Sequence, residues 1–169
     1  MQAEELLLQL RLRGMCAPGE GAAILVEQGY ATQRRDKLVL TPDGRREADA
    51  RFRYDDASPE RARVVRAYER FLPLNGAVTQ VCSDWQIDRG WKTVERLGAL
   101  DDKAGPVLLT LGEHVPRYAH YRGLLRQART QVEDGAHEWF VSPAIDSYHT
   151  VWMQLHEDLL LGLGLQRGE

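Results

Sequence analysis

Residues 142–165, SPAIDSYHTVWMQLHEDLLLGLGL, decide how the chain folds, because they gather two His, a Trp, a Tyr and a Glu into one strongly apolar stretch. Ser142 can cap a first helical turn, Pro143 suits the first helical position where its missing N–H is no loss, and Gly164 marks an end. The spacing predicts one helix over 142–165. On a helical wheel Ile145, Tyr148, Trp152, Leu155, Leu159 and Leu163 share one face, the stripe of a helix docked on a core. Asp146, His149, Met153, Glu157 and Leu160 fall opposite. A helix with so much apolar surface needs cover on both sides, so its second face lines a pocket or an interface, or else His149 and Glu157 form a solvated or satisfied polar pair.

The bulk numbers allow a protein large enough to surround such a helix. The 169 residues fit one large domain or two small ones, and 43% hydrophobic residues supply a real core. A net charge of −3 gives no bulk attraction to nucleic acid or to an anionic membrane. Cys16 and Cys82 lack CxxC spacing, which argues against a zinc site and for a reducing cytoplasm. The N-terminal MQAEELLLQLRLRG puts acids before a short apolar run, the reverse of a signal peptide, and no stretch approaches the roughly 18 apolar residues of a membrane span. A cytoplasmic protein without membrane partners is expected.

Upstream, Leu6, Leu7 and Leu10 stand at helical spacing until Gly14, and Ala22 to Gln28 reads as a second helix ended by Gly29. Tyr30–Arg34 and Lys37–Thr41 flank Arg35-Asp36 as a two-stranded hairpin. Thr41 and Pro42 then cap and start another helix. This order, with its GYATQRRDKLVLTPDGR run, resembles the winged-helix domain of bacterial transcriptional regulators over roughly residues 4–55, where an LTP-GR run closes the wing. The resemblance implies a helix-turn-helix pair before the wing. Yet only MCAPGEGAAILVEQ lies between Gly14 and Gly29, room for about one short helix at about 1.5 Å per residue. Ala22, Ala23, Ile24, Leu25 and Val26 also lack the polar groups that read base edges. Arg34, Arg35 and Lys37 can still grip phosphates from the wing, although residues 1–56 carry nine Lys/Arg against ten Asp/Glu.

Asp55 to Pro59 marks a boundary between domains 1–56 and 57–169. Beyond it, Val64, Val65, Tyr68, Phe71 and Leu72 form a core stripe up to Pro73. Leu74, Ala77, Val78, Val81 and Trp85 continue it, as a second helix or a bent one. Residues 88–103 read as a loop containing one short helical segment over 93–100, followed by helices on either side of Pro116. The expected fold class is therefore mainly α, a shortened winged-helix N-terminal domain with a small two-stranded wing followed by an all-α C-terminal domain. The SDWQ run at 83–86 and the DSYHTVWMQLHEDLL run at 146–160 resemble the C-terminal helical region of MarR-like winged-helix regulators of bacteria. A weaker resemblance is to winged-helix-derived proteins that work in pairs in natural-product pathways, among them enzymes that close aziridine rings.

Two functions follow. In the first, DNA reading is lost and the chain acts in small-molecule biosynthesis as a cofactor-free cyclase or its partner subunit, on a free or carrier-tethered substrate. Asp84, His149 and Glu157 are then the catalytic candidates, with Asp84 raised toward a useful pKa by burial beside an indole, and Trp85, Trp152 and Tyr148 as substrate-binding walls. In the second, the chain is a DNA-binding regulator that uses Arg34, Arg35 and Lys37, with a ligand-sensing or dimerising helical domain. A homo- or hetero-oligomer is expected in both, including one with a paralogous winged-helix protein. No metal is expected, since His114, His120, His149 and His156 show neither HExxH nor i, i+4 spacing. No P-loop, GxGxxG or GxSxG run points to a nucleotide, a flavin or serine hydrolysis.

Overall fold

The computed structural model describes residues 2–166. They are mainly helical, with one small antiparallel sheet. The chain divides into two compact units: one runs to Tyr54 and resumes at Leu160, the other is Asp55–Leu159.

The first unit begins with α1 (Gln2–Arg13), β1 (Met15–Cys16) and α2 (Ala22–Glu27). It continues with β2 (Ala31–Arg34), β3 (Lys37–Leu40) and α3 (Pro42–Phe52). The sheet has three strands in the order β1-β3-β2, not the two read from sequence. The extra strand forms because Gly14, at φ +79°, turns the chain back after α1 and sets Met15 opposite Val39 and Cys16 opposite Leu38. Two residues are too short a run to register as a strand by alternation. The core is Leu7 and Leu10 of α1, Leu25 of α2, Ala31 and Leu38 of the sheet, and Ala48 of α3. The LTPDGR run has a local physical cause. Thr41 Oγ1 accepts from the Gly44 amide at 3.0 Å, as an N-cap does, and donates to the Gly29 carbonyl at 2.6 Å. Position 44 must be glycine, since a Cβ there would stand 2.0 Å from the Tyr30 carbonyl oxygen.

The second unit comprises α4 (Pro59–Ile87), α5 (Trp91–His114), a 3-10 turn (Pro116–Tyr118), α6 (Ala119–Glu133), α7 (Glu138–Val141) and most of α8 (Tyr148–Leu163). Ser58 caps α4 by accepting from the Arg61 amide at 3.1 Å, and α4 then runs through Pro73 as one helix. A proline inside a helix costs about 3 kcal/mol. Burial of Val64, Phe71, Val78, Val81 and Trp85 along the same helix offsets it. Residues 88–103 are not a loop. Only Asp88, Arg89 and Gly90 break the helices, and α5 is continuous from Trp91 because Leu97, Asp101, Ala104, Leu108 and Leu111 form one buried stripe through its polar residues and Pro106.

α8 starts five residues later than its sequence signals imply. Ser142 does not cap it. Ser147 does, its hydroxyl accepting from the Thr150 amide at 3.3 Å, while the Ser142 carbonyl accepts from both the Ser147 and Thr150 hydroxyls at 2.8 and 3.1 Å. Tyr148, Val151, Trp152, Leu155 and Leu159 are buried, and no residue from Tyr148 to Leu163 is exposed. Among the described residues, no helix is long and apolar enough to cross a membrane.

Candidate functional site

The six residues singled out in the helical part all lie in the second unit, where the Tyr148 and Trp152 rings stack with centroids 6.1 Å apart. Asp84, near the end of α4, accepts from Gln80 Nε2 at 2.8 Å and pairs with Arg96 of α5 at 2.7 Å. Those donors, Gln80 first and then Arg96, hold its carboxyl below the usual carboxylate range, the opposite of the shift expected from burial beside Trp85. A base held down in this way is a weaker proton acceptor than a free carboxylate. Neither His149 nor Glu157 is among its partners in the described residues. His149 is half-buried on α8, and burial lowers its pKa, so it is neutral at neutral pH.

The three aromatic candidates are built into packing. Trp85 stacks on Phe140 with centroids 4.3 Å apart, and the His137 ring meets it edge-on at 5.1 Å. Trp152 stacks on Phe71 at 4.7 Å and donates its indole N–H to Asn75 Oδ1 at 3.0 Å. Tyr148 donates its hydroxyl to Asp101 Oδ1 at 3.1 Å. In the other unit Arg34, Arg35 and Lys37 stand exposed at the tip of the β2–β3 hairpin, where Arg35 takes the left-handed conformation at φ +56°. None of the three makes an ion pair among the described residues.

α8 is tied to its neighbours by two fully buried carboxylates that the sequence reading did not single out. Asp101 of α5 accepts from Arg122 Nη1 at 3.0 and 3.1 Å, from Arg129 Nη1 at 3.2 Å and from the Tyr148 hydroxyl. Gly98 and Gly105, on either side of Asp101, leave room for the guanidiniums: a Cβ at these positions would stand 3.1 Å from Arg129 Nη2 and 3.3 Å from Arg122 Cζ. Asp158 of α8 is held by Arg117 and accepts from the Tyr121 hydroxyl at 2.8 Å, while its own carbonyl accepts from Tyr118 at 3.2 Å. With both acids fully enclosed and bonded, these clusters are structural clasps.

A concave site lies elsewhere, between α4 and α5. A cavity of about 170 Å³ is walled by Arg63, Arg66 and Arg70 of α4, with Ala67 between them. Val107, Thr110 and Leu111 of α5 form the other wall. All three arginines are exposed, and none makes an ion pair or a hydrogen bond among the described residues. Glu60 and Glu69 stand three residues from Arg63 and Arg66, yet neither pair forms among the described residues. Three guanidiniums with fifteen N–H donors between them therefore face one groove whose floor is apolar. The sequence signal was the i, i+3, i+7 placement of 63, 66 and 70 in PERARVVRAYERF, which puts them within about 60° on the helix. The core stripe on the same helix drew the reading away from it.

The chain matches no family model, no curated protein and no solved structure.

The lining side chains have one kind of chemistry to offer. Among the described residues they include no carboxylate, imidazole or thiol. The groove can neutralise and hydrogen-bond an anion, with the Thr110 hydroxyl as a neutral donor or acceptor, but it holds no group that exchanges a proton near neutral pH. Among the described residues no set of three His, Cys, Asp or Glu side chains is placed to hold a metal ion.

Proposed function

We propose that the chain is a winged-helix-derived protein whose helical unit binds a small anionic molecule in the arginine groove. It acts as a subunit in small-molecule biosynthesis and not as a reader of DNA sequence. The observation that carries this reading is the grouping of Arg63, Arg66 and Arg70 around one cavity, without acidic partners among the described residues. Exposed arginines normally find carboxylates or point into solvent, and like charges three or four residues apart on a helix destabilise it slightly. An anion that neutralises them removes that repulsion and gains charge-assisted hydrogen bonds. Among the described residues no proton-transfer group lines the groove, so in this reading the groove binds and a partner chain brings the catalytic groups, as in a hetero-oligomer.

The first unit supports the loss of DNA reading. A helix of only six residues stands where a base-reading helix would be, and it exposes Ile24 and Val26. Those side chains make no hydrogen bonds to base edges. Thermal melting with a panel of small anions, at ionic strength matched with potassium chloride, tests the proposal. One or more of phosphate, pyrophosphate, citrate and succinate should raise the melting temperature of the native chain, and raise that of Arg66→Gln less at the same concentration. No rise with any of them removes the reading.

A regulator is the second reading, favoured by Arg34, Arg35 and Lys37, which are exposed at the hairpin tip and make no ion pair among the described residues. Its test is an electrophoretic mobility shift with DNA from around the gene. Specific binding that weakens steeply with salt, and is lost in Arg34→Gln/Arg35→Gln, would establish it.

A further inference from the structure

The size, charge and floor of the groove also define the class of its occupant. Resting on the anion-binding reading above, we propose that the groove takes a small phosphate ester, its phosphoryl group held by Arg63, Arg66 and Arg70 and a short uncharged body lying on Ala67, Val107 and Leu111.

Three features of the groove lead there. Charge comes first. One carboxylate brings a single negative charge and two oxygens, and one guanidinium fork satisfies it. A phosphomonoester near neutral pH carries about −1.5 to −2 and three strong acceptor oxygens. Three guanidiniums more than neutralise that charge and offer one fork for each of its three acceptor oxygens, and the planar fork of Arg suits its geometry. Size comes second. The cavity, about 170 Å³, is smaller than the roughly 300 Å³ at which drug-sized pockets begin, so a phosphoryl group with a few further atoms fills it. The third is polarity. Ala67 and Leu111 are buried and Val107 half-buried, and they present carbon to the ligand. A bare inorganic anion leaves that surface wet, whereas an ester with an apolar body covers it. A nucleic-acid backbone fits less well: it needs a long basic track, and this chain has a net charge of −3.

Isothermal titration of the full-length protein at constant ionic strength, with phenyl phosphate, inorganic phosphate and benzoate as probes, separates the possibilities. Phenyl phosphate should bind at least about tenfold more tightly than benzoate, and more tightly than inorganic phosphate. Arg66→Gln and Arg70→Gln should each weaken phenyl phosphate about ten- to hundredfold, since each removes hydrogen bonds to a charged group. Arg66→Lys, which keeps the charge and loses the fork, should fall in between. These side chains are exposed, so the variants should melt as the native chain does, and that is checked alongside. Benzoate binding as tightly as phenyl phosphate would overturn the phosphate-ester assignment and leave anion binding standing. If no probe binds, both fall. A single-stranded oligonucleotide that outcompetes phenyl phosphate, and is weakened by the same variants, would make the groove a polyanion surface and overturn the proposal.

Discussion

Replacing Asp101 by Asn should destabilise the protein by about 3 kcal/mol, because it breaks the clasp that joins three helices. The Asp101 side chain is completely enclosed, while those of Arg122 and Arg129 retain 20% and 24% exposure. Removing one member of a buried pair costs about 3–5 kcal/mol when the charge left behind stays buried. Here both cations reach water, and Arg129 keeps Asp102 and Glu133 as partners, so the lower end applies. The Tyr148 hydroxyl, pushed well up in pKa by burial and by the Asp101 charge, stays protonated and loses a charged acceptor for a neutral one. For a chain of this length 1 kcal/mol corresponds to about 2–4 °C, so melting followed by circular dichroism should drop by about 10 °C. Tyr148→Phe, which removes only the hydroxyl, should cost about 1 kcal/mol. The Asp101→Asn/Tyr148→Phe double variant should lose less than the sum, because both changes act on one contact. A melting temperature of Asp101→Asn within about 2 °C of the native value would refute the clasp.

Gly44→Ala should destabilise by about 3 kcal/mol or more, measured by urea unfolding, since the added methyl meets the backbone at Tyr30 and not a movable side chain. Thr41→Ala should cost about 1–2 kcal/mol by the same assay, through loss of the cap and of the bond to Gly29. The protein should also lose stability on mild acidification. His149 binds its proton less readily folded than unfolded, so the stability it contributes is complete above the unfolded pKa of about 6.5 and is lost as pH falls from there through the folded value. His149→Gln should flatten the melting temperature across that window, and an unchanged slope would contradict the assignment.

Elements were legible where one short local cue sufficed. Thr41-Pro42 and Ser58-Pro59 announce α3 and α4, and both caps are made as their side chains allow. The hairpin about Arg35-Asp36 is equally local. What escaped depends on partners distant in sequence. β1 is two residues that become a strand only when Val39 and Leu38 lie opposite. α5 looks polar and broken by Gly98, Gly105 and Pro106 until Arg122 and Arg129 are seen to need those glycines. Ser142-Pro143 carries a start signal that Ser147 supersedes, because the Ser142 carbonyl is taken by two hydroxyls. At the candidate site the large aromatics and acids of 83–91 and 142–165 drew notice through their composition. Trp85 and Trp152 are buried side chains packed on other rings. The arginines of α4 are ordinary residues individually, and become a site only through the wall that α5 sets against them.

The most direct test follows the side-chain Nε–Hε signals of the arginines by nuclear magnetic resonance while phenyl phosphate is added to the full-length protein. The account predicts that the signals of Arg63, Arg66 and Arg70 move together and saturate with a single dissociation constant, while those of Arg34 and Arg35 stay in place. Movement confined to the hairpin arginines, or no saturable movement at the three α4 arginines, would contradict it.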